Sequence, residues 1–163
     1  MSSEIPLGRG RAMTEDEMRQ FLQEPHFAFV STLQEDGAPY VNPLWFEHRD
    51  GLFLIVTKPT AQVCQNLRRD PRTMLAIASP TPPYRRVLVQ GRAEEIEEDW
   101  IPIGERMVRR YVGPEGMKYL RATSQLPRVI FAIHPVKMTS WNGGGIDRSF
   151  FEPAIWHPVA TRG

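Results

Sequence analysis

Alternating apolar and polar positions predict six β-strands along the chain. In residues 84–96, Val87 and Val89 alternate with side chains suited to solvent, as in a long strand with one buried face. Residues 52–56, LFLIV, are apolar without a break, which predicts a strand covered on both faces. The other predicted strands are two in residues 26–46, separated by a turn at Asp36 and Gly37, one at 73–79 and one at 128–141.

Helices are predicted between these strands from their capping residues and apolar spacing. A capping box at Thr14 opens the first helix. Pro59 is expected in the first turn of a second helix of about ten residues, which ends before Asp70–Pro71 because a residue before proline disfavours the α region. Asp99 is the predicted cap of a third, amphipathic helix, and a shorter helical piece follows at 115–122.

The order of these elements predicts a mainly β fold, a six-stranded and mostly antiparallel barrel with helices on its ends and rim. Strands and helices do not alternate one for one, so a doubly wound parallel sheet is not expected. The length of 163 residues suits one domain, since domains typically have ~100 to 200 residues. We expect a flexible leader at 1–13, the barrel at 14–141 and a C-terminal tail rich in Gly and Pro at 142–163.

Composition excludes several classes of protein. Hydrophobic residues make up 41% of the chain, charged residues 24%, and the net charge is +1, which predicts an ordinary soluble protein without a nucleic-acid partner. Cys64 is the single cysteine, so no intrachain disulfide or cysteine-rich zinc site is expected and the cytoplasm is the predicted location. No apolar run approaches the ~18 residues of a membrane span, and no signal core is visible at the start.

Motifs for several common chemistries are absent from the sequence. There is no GxSxG, GxGxxG or Walker-type motif, and no carboxylate pair has a recognisable acid and base spacing. Histidines with metal-ligand spacing are also lacking, so no metal site is predicted. The four histidines are His26, His48, His134 and His157.

The junction at Thr57 and Lys58 is the strongest candidate site. A strand that ends there and continues into a helix brings together a hydroxyl, an ammonium and the unpaired amides of a helix N-terminus, which suit a phosphate. The alternative is that Lys58 is a solvated turn residue. Arg68, Arg69 and Arg72 have their own alternative as the polar face of the helix near its C-terminus, where cations complement the dipole.

Two further stretches could contact a planar ring. A proline-interrupted strand offers irregular backbone, an amide and an aromatic ring in Asn42, Pro43, Leu44 and Trp45. The alternative for Trp45 is the protein core, the commoner position of aromatic residues. Arg86 provides a second cation, or else lies on an exposed strand edge, and Trp141 could cap a ring or fill the barrel mouth.

Residues about 14–141 resemble the flavin-binding split barrels of the pyridoxamine phosphate oxidase-like family. The resemblance rests on the N-terminal helix, the stretch FAFVSTLQEDGAPYVNPLWF, a strand leading to NLRRDPR, the stretch YRRVLVQGRAE and a last strand that ends in tryptophan. It implies a homodimer that binds FMN, or the deazaflavin coenzyme F-420, at the subunit interface. It also implies an oxidoreductase that transfers a hydride between this cofactor and a small organic substrate.

The resemblance implies a role for ten residues. The phosphate would contact Thr57, Lys58 and Gln62, Val56 would also contact the cofactor, and the ring would lie along Asn42, Pro43, Leu44 and Trp45. Arg86 and Trp141 would form the far side of the pocket, and the family takes contacts there from the strand of the partner chain that matches 84–90. One position departs from the family: many members carry Lys or Arg three residues before the Asn66 position, where this chain has Val63. No catalytic residue is assigned, because the cofactor carries the reaction.

Two alternatives keep the same barrel without turnover. The first is a non-catalytic flavin or haem carrier, in which His48 or His134 would be the candidate axial ligand of a haem. The second is a barrel that has lost its ligand and serves as an interaction module.

Overall fold

The computed structural model describes residues 10–143. Its strands are β1 (Ala28–Leu33), β2 (Pro39–Leu44), β3 (Glu47–Arg49), β4 (Leu52–Thr57), β5 (Arg72–Ala78), β6 (Arg85–Ile96) and β7 (Val129–Asn142). Its α-helices are α1 (Glu15–Phe21), α2 (Gln62–Arg69), α3 (Trp100–Tyr111) and α4 (Met117–Thr123), with a 3-10 turn at Pro114–Gly116.

All strands belong to one curled antiparallel sheet with the order β2-β1-β5-β6-β7-β4-β3. The two edge strands, β2 and β3, are consecutive in the chain and are joined through Trp45 and Phe46. The predicted split-barrel fold is therefore confirmed, with seven strands instead of six. The additional strand is β3, whose three residues pair with β4 around a tight turn in which Asp50 and Gly51 have positive φ angles of 54° and 77°.

Strand β6 has the alternation that the sequence predicts. Val87 and Val89 are fully buried inside the barrel, and the alternate positions Arg86, Leu88 and Gln90 are more exposed and face outward. Its pairing with β7 shifts register between Gln90 and Gly91. A Cβ at Gly91 would lie 2.8 Å from the carbonyl oxygen of His134, so this close backbone approach requires glycine.

Two apolar layers cover the sheet. The barrel interior holds residues from most strands, and α2 closes one end of it with Val63, Cys64 and Leu67. Outside the barrel, α3 packs Ile103 and Met107 against β4 and β7. Strand β4 therefore lies between two layers, which explains why Phe53, Leu54 and Ile55 are all buried and why the sequence shows no alternation there.

Two ends of elements differ from the prediction. Pro59 lies in a turn before α2, which begins at Gln62, and the amide of Ala61 donates to the carbonyl oxygen of Lys58 at 3.0 Å. At the N-terminus, Met13 is buried in the core, so ordered packing begins within the predicted leader. Residues 1–9 of that leader and residues 144–163 of the predicted tail lie outside the described residues. Among the helices of residues 10–143, none is long and apolar enough to cross a membrane.

Candidate functional site

A cleft of about 570 Å³ opens where the ends of β2 and β4 face α3 and α4. This volume is within the usual range for small-molecule sites, roughly 300 to 1,000 Å³. The strand side and the start of α2 contribute Pro43, Leu44, Trp45, Val56, Thr57, Lys58 and Ala61. The helical side and the start of β7 contribute Trp100, Gly104, Met107, Val108, Tyr119, Leu120, Thr123 and Arg128.

Trp45 forms a fixed aromatic wall of the cleft. Its ring stacks on Tyr111, with 4.9 Å between centroids and 3° between planes. The Tyr111 hydroxyl donates to the carbonyl oxygen of His26 at 2.7 Å and accepts from the amide of Phe46 at 3.3 Å. The guanidinium of Arg110 also lies over the Tyr111 ring, 4.7 Å from its centroid. These contacts hold the indole in place before any ligand arrives.

The polar end of the cleft is formed by Thr57, Lys58 and Arg128. Thr57 is only 7% exposed, and its hydroxyl has no hydrogen-bond partner in the described part of the chain. Neither Lys58 nor Arg128 forms an ion pair within residues 10–143, and the cleft lining there contains no Asp or Glu. The cleft is therefore apolar with an unneutralised positive end.

The N-terminus of α2 borders this end of the cleft through Ala61. Ala61 is the N-cap and provides no side-chain acceptor, so the amides of the first turn lack the usual capping partner. Val63, at the position where a family cation was expected, is fully buried in the barrel core and is not part of the cleft. Gln62 donates to Asn66 at 2.9 Å and lines a separate shallow pocket with Arg69.

The arginines that follow α2 are engaged with local partners. Arg68 forms a bidentate ion pair with Glu95 at 2.7 Å, and Arg72 pairs with Asp70 at 2.6 Å. Arg69 donates to the carbonyl oxygen of Leu33 and to Asn66. The interpretation of these arginines as the polar end of the helix is therefore confirmed, and the phosphate candidate is confined to the start of the segment.

Four of the ten residues predicted to contact the cofactor do not reach the cleft. Gln62 is one of them, as described above, and Asn42 is paired with Val30 in the hairpin. Arg86 and Trp141 face each other across β6 and β7 on the outer surface of the sheet, with the guanidinium 5.4 Å from the indole centroid. Within one chain these two residues cannot form the far side of the same pocket. The other six predicted residues all line the cleft.

The helical wall and Arg128 are the part of the site that sequence reasoning missed. Gly104 is the one available signal, since glycine inside an amphipathic helix often marks close packing. A Cβ at Gly104 would meet both Leu120 and the Trp100 ring at 3.1 Å, so α3 and α4 approach each other closely there. This approach places Trp100 and Tyr119 on the cleft, opposite the predicted strands.

The described histidines lie away from the cleft. His48 packs on Phe53, with 4.7 Å between ring centroids, and its pKa is lowered by burial and by the charge of Arg110. His134 is an exposed partner of Glu94 at 2.8 Å. Among residues 10–143, no group of histidine, cysteine and acidic side chains could hold a metal ion.

The fold and the position of the cleft agree with a family assignment from the sequence. The sequence profile of the pyridoxamine 5'-phosphate oxidase family matches residues 14–142. The chain belongs to this family. That span includes every described element and the whole cleft lining, and it confirms the resemblance noted in the sequence.

Several solved structures share this fold, and their names describe different kinds of protein. The chain is similar to the conserved hypothetical protein Rv2991 from Mycobacterium tuberculosis, at 26% identity and a TM-score of 0.70, over 93% of each chain. It is similar to an F420 reductase at 25% identity and a TM-score of 0.61, over 74% of this chain and 94% of the other. The haem storage protein HutZ from Vibrio cholerae shares the fold at 20% identity and a TM-score of 0.64, over 79% of this chain and 96% of the other. No curated protein matches the chain.

Proposed function

We propose that this protein is a homodimeric oxidoreductase that transfers a hydride between a bound flavin or deazaflavin, FMN or coenzyme F-420, and a small organic substrate. Membership of the pyridoxamine 5'-phosphate oxidase family supports the cofactor class. Similarity to an F420 reductase supports oxidoreductase chemistry. The bound cofactor supplies the hydride chemistry, and the residues of the chain position it and exclude water.

The observation that carries the proposal is the combination of a preformed aromatic wall with an unpaired positive end in one cleft. FMN and coenzyme F-420 each carry a planar ring and a phosphate. The Trp45 wall and the apolar side chains of Leu44 and Val56 fit the ring, and Thr57 and Lys58 fit the phosphate. The residues present therefore fit such a cofactor, although Gln62 and Val63 contribute nothing to the cleft.

The helical wall leaves room for a second molecule beside the cofactor. Trp100 and Tyr119 face the cleft from α3 and α4, and Tyr119 is 63% exposed at the rim. Aromatic side chains of this kind suit a small organic substrate with an apolar body. We assign these residues to substrate contact and none of them to proton transfer.

A haem carrier receives less support from the geometry. His48 and His134, the proposed axial ligands, point to other parts of the surface, and neither lines the cleft. The likeness to a haem storage protein at 20% identity concerns the fold alone. A flavin carrier without turnover differs from the proposed enzyme only in lacking a substrate, so an activity assay separates the two.

The outer face of the sheet supports the homodimer. Large apolar side chains lie exposed on four of its strands: Phe29 at 46%, Val41 at 55%, Met74 at 44% and Val136 at 67%. Ser31 pairs with both Val41 and Met74, and Met74 and Val136 line one groove, so these residues form a continuous patch. Exposed apolar patches of this kind mark protein interfaces.

Cofactor binding is tested on the purified full chain by its visible spectrum and by titration with FMN and with F-420. We expect a bound flavin or deazaflavin band, or saturable quenching of the cofactor fluorescence. Binding followed by reduction or oxidation of a small acceptor supports the enzyme, and binding without turnover supports the carrier. If neither cofactor binds at any accessible concentration, the proposed function is wrong.

The dimer is tested by sedimentation of the wild-type protein and of Val136→Glu. Burying a carboxylate in an apolar interface is costly, so this variant is expected to sediment as a monomer. Val112→Glu is the matched control, because Val112 is 52% exposed at the end of α3 and away from the sheet face. A monomeric wild-type protein, or a Val136→Glu variant that stays dimeric, would contradict the proposed interface.

A further inference from the structure

Two cations that are distant in sequence meet at one end of the cleft. The β4–β7 ladder ends with the pair Thr57 and Val129, and Lys58 and Arg128 lie one residue beyond this pair on the two strand ends. Both residues line the cleft, so two cations face the same ligand space.

The positive charge of Lys58 and Arg128 is not offset by any carboxylate of the described cleft lining. Other arginines of the described chain form ion pairs with neighbouring carboxylates, as Arg68 does with Glu95. The charge at the ladder end is therefore left for a ligand.

Arg128 is held in a position suited to binding. Its guanidinium lies 5.6 Å from the centroid of the Trp100 ring, and a single hydrogen bond from Nη1 to the carbonyl oxygen of Pro127 is its one polar contact with the described residues. The other guanidinium N–H groups remain available, and guanidinium groups bind phosphate and carboxylate in bidentate geometry. The nearby Thr57 side chain is only 7% exposed, and its hydroxyl forms no hydrogen bond within residues 10–143, so it can bond to a ligand in the cleft.

We infer that Lys58, Arg128 and the Thr57 hydroxyl form an anion subsite that binds a phosphate or carboxylate group of the ligand in the cleft. The inference rests on the proposed function for the planar part of the ligand and adds Arg128, which no family motif identified in the sequence. It also accounts for Val63, because a second cation is supplied from β7 and none is needed on α2. The anion comes either from the cofactor phosphate or from an acidic substrate.

The experiment compares FMN with riboflavin, which has the same ring and lacks the phosphate. Wild-type protein is expected to bind FMN more tightly than riboflavin. Arg128→Gln and Lys58→Gln are each expected to weaken FMN binding about 10- to 100-fold, the range for one charge-assisted hydrogen bond, and to leave riboflavin binding unchanged. Arg121→Gln is the matched control, since Arg121 is exposed on α4 and outside the cleft lining.

Inorganic phosphate separates the two sources of the anion. If phosphate stabilises the FMN-free protein against thermal unfolding and FMN abolishes this effect, the subsite binds the cofactor phosphate. If phosphate still stabilises the FMN-loaded protein, and does so only with Arg128 present, the subsite binds an acidic substrate. Both results support the subsite, and the Arg121→Gln variant should behave as the wild type in each.

The results that would overturn the subsite differ from those that would overturn the proposed function. Equal affinity of the wild type for FMN and riboflavin, without any stabilisation by phosphate, would overturn the subsite and leave flavin binding intact. The same holds if Arg128→Gln behaves as the wild type in every titration. If neither flavin binds but phosphate stabilises the protein through Arg128, the subsite stands and the proposed flavin function falls.

Discussion

Asn66 connects α2 to the barrel, and its removal should destabilise the fold. The side chain is fully buried, and its Nδ2 donates to the Thr32 hydroxyl on β1 at 2.9 Å. Its Oδ1 accepts from Gln62 at 2.9 Å and from Arg69 at 3.2 Å. This network fixes the helix whose N-terminus borders the cleft, so Asn66→Ala tests how the fold positions the site.

The expected loss follows from which partners can reach water. Gln62 and Arg69 are exposed and can replace their bonds with solvent, whereas Thr32 is 1% exposed and would keep a buried hydroxyl without a partner. Leaving such a group unsatisfied costs about 1 to 3 kcal/mol, and the lost packing of the amide adds to it. We expect Asn66→Ala to lower the free energy of unfolding by about 2 to 4 kcal/mol.

Urea unfolding followed by circular dichroism, at one fixed protein concentration, measures this change. Thr32→Val alone should cost about 1 to 2 kcal/mol, and the double variant should cost less than the sum by a similar amount, because it no longer buries an orphaned hydroxyl. Gln65→Ala, an exposed position on the same helix, is the control and should change stability by less than about 0.5 kcal/mol. An additive double variant would refute the reasoning.

Three further predictions concern the scaffold. Gly91→Ala should lower the thermal unfolding midpoint, with a cost of about 1 to 3 kcal/mol, because the new Cβ would lie 2.8 Å from the His134 carbonyl oxygen. Tyr111→Phe should cost about 1 to 3 kcal/mol in urea unfolding, since it leaves the ring stack but removes two bonds to backbone groups. The Arg72 guanidinium lowers the pKa of Asp70 from 3.8 to about 2, so this pair stabilises the fold above pH 3.8 and loses its effect as the pH falls through about 2. Asp70→Asn should therefore weaken the pH dependence of the free energy of unfolding between pH 3.8 and about 2.

The local pattern of residues in the sequence was sufficient to predict most of the fold. The capping box at Thr14 and the Asp99 cap both form as predicted, and the alternation around Val87 places the right side chains inside the barrel. These features depend on residues a few positions apart, so the sequence displays them directly. Strand β3 escaped prediction because three residues of intermediate burial, Glu47–Arg49, carry no periodic signal.

The site was harder to predict from the sequence than the fold, because the register between strands that are distant in the chain determines which residues meet there. Thr57 and Lys58 were predicted from a local signal, a strand that leads into a helix a few residues later, and the structure places both residues in the cleft lining. Arg128 shows no such signal, because only the pairing of Thr57 with Val129 brings the start of β7 to the cleft. The outward direction of Arg86 was also predictable, but the position of Trp141 beside it and the distance of both residues from the cleft within one chain were not.

The burial of Val63 shows why a missing motif residue need not remove a function. Val63 contributes to the core that holds α2 against the barrel, and an unpaired cation in that environment would lose its hydration. The positive charge of the cleft comes instead from Lys58 and Arg128, which lie next to the paired ends of β4 and β7. The strand ends and not α2 supply the cations of this site. A cation can therefore be provided by a different element while the shape of the cleft stays the same. The affinity ratio between FMN and riboflavin therefore reports on Lys58 and Arg128, whatever residue occupies the helix position.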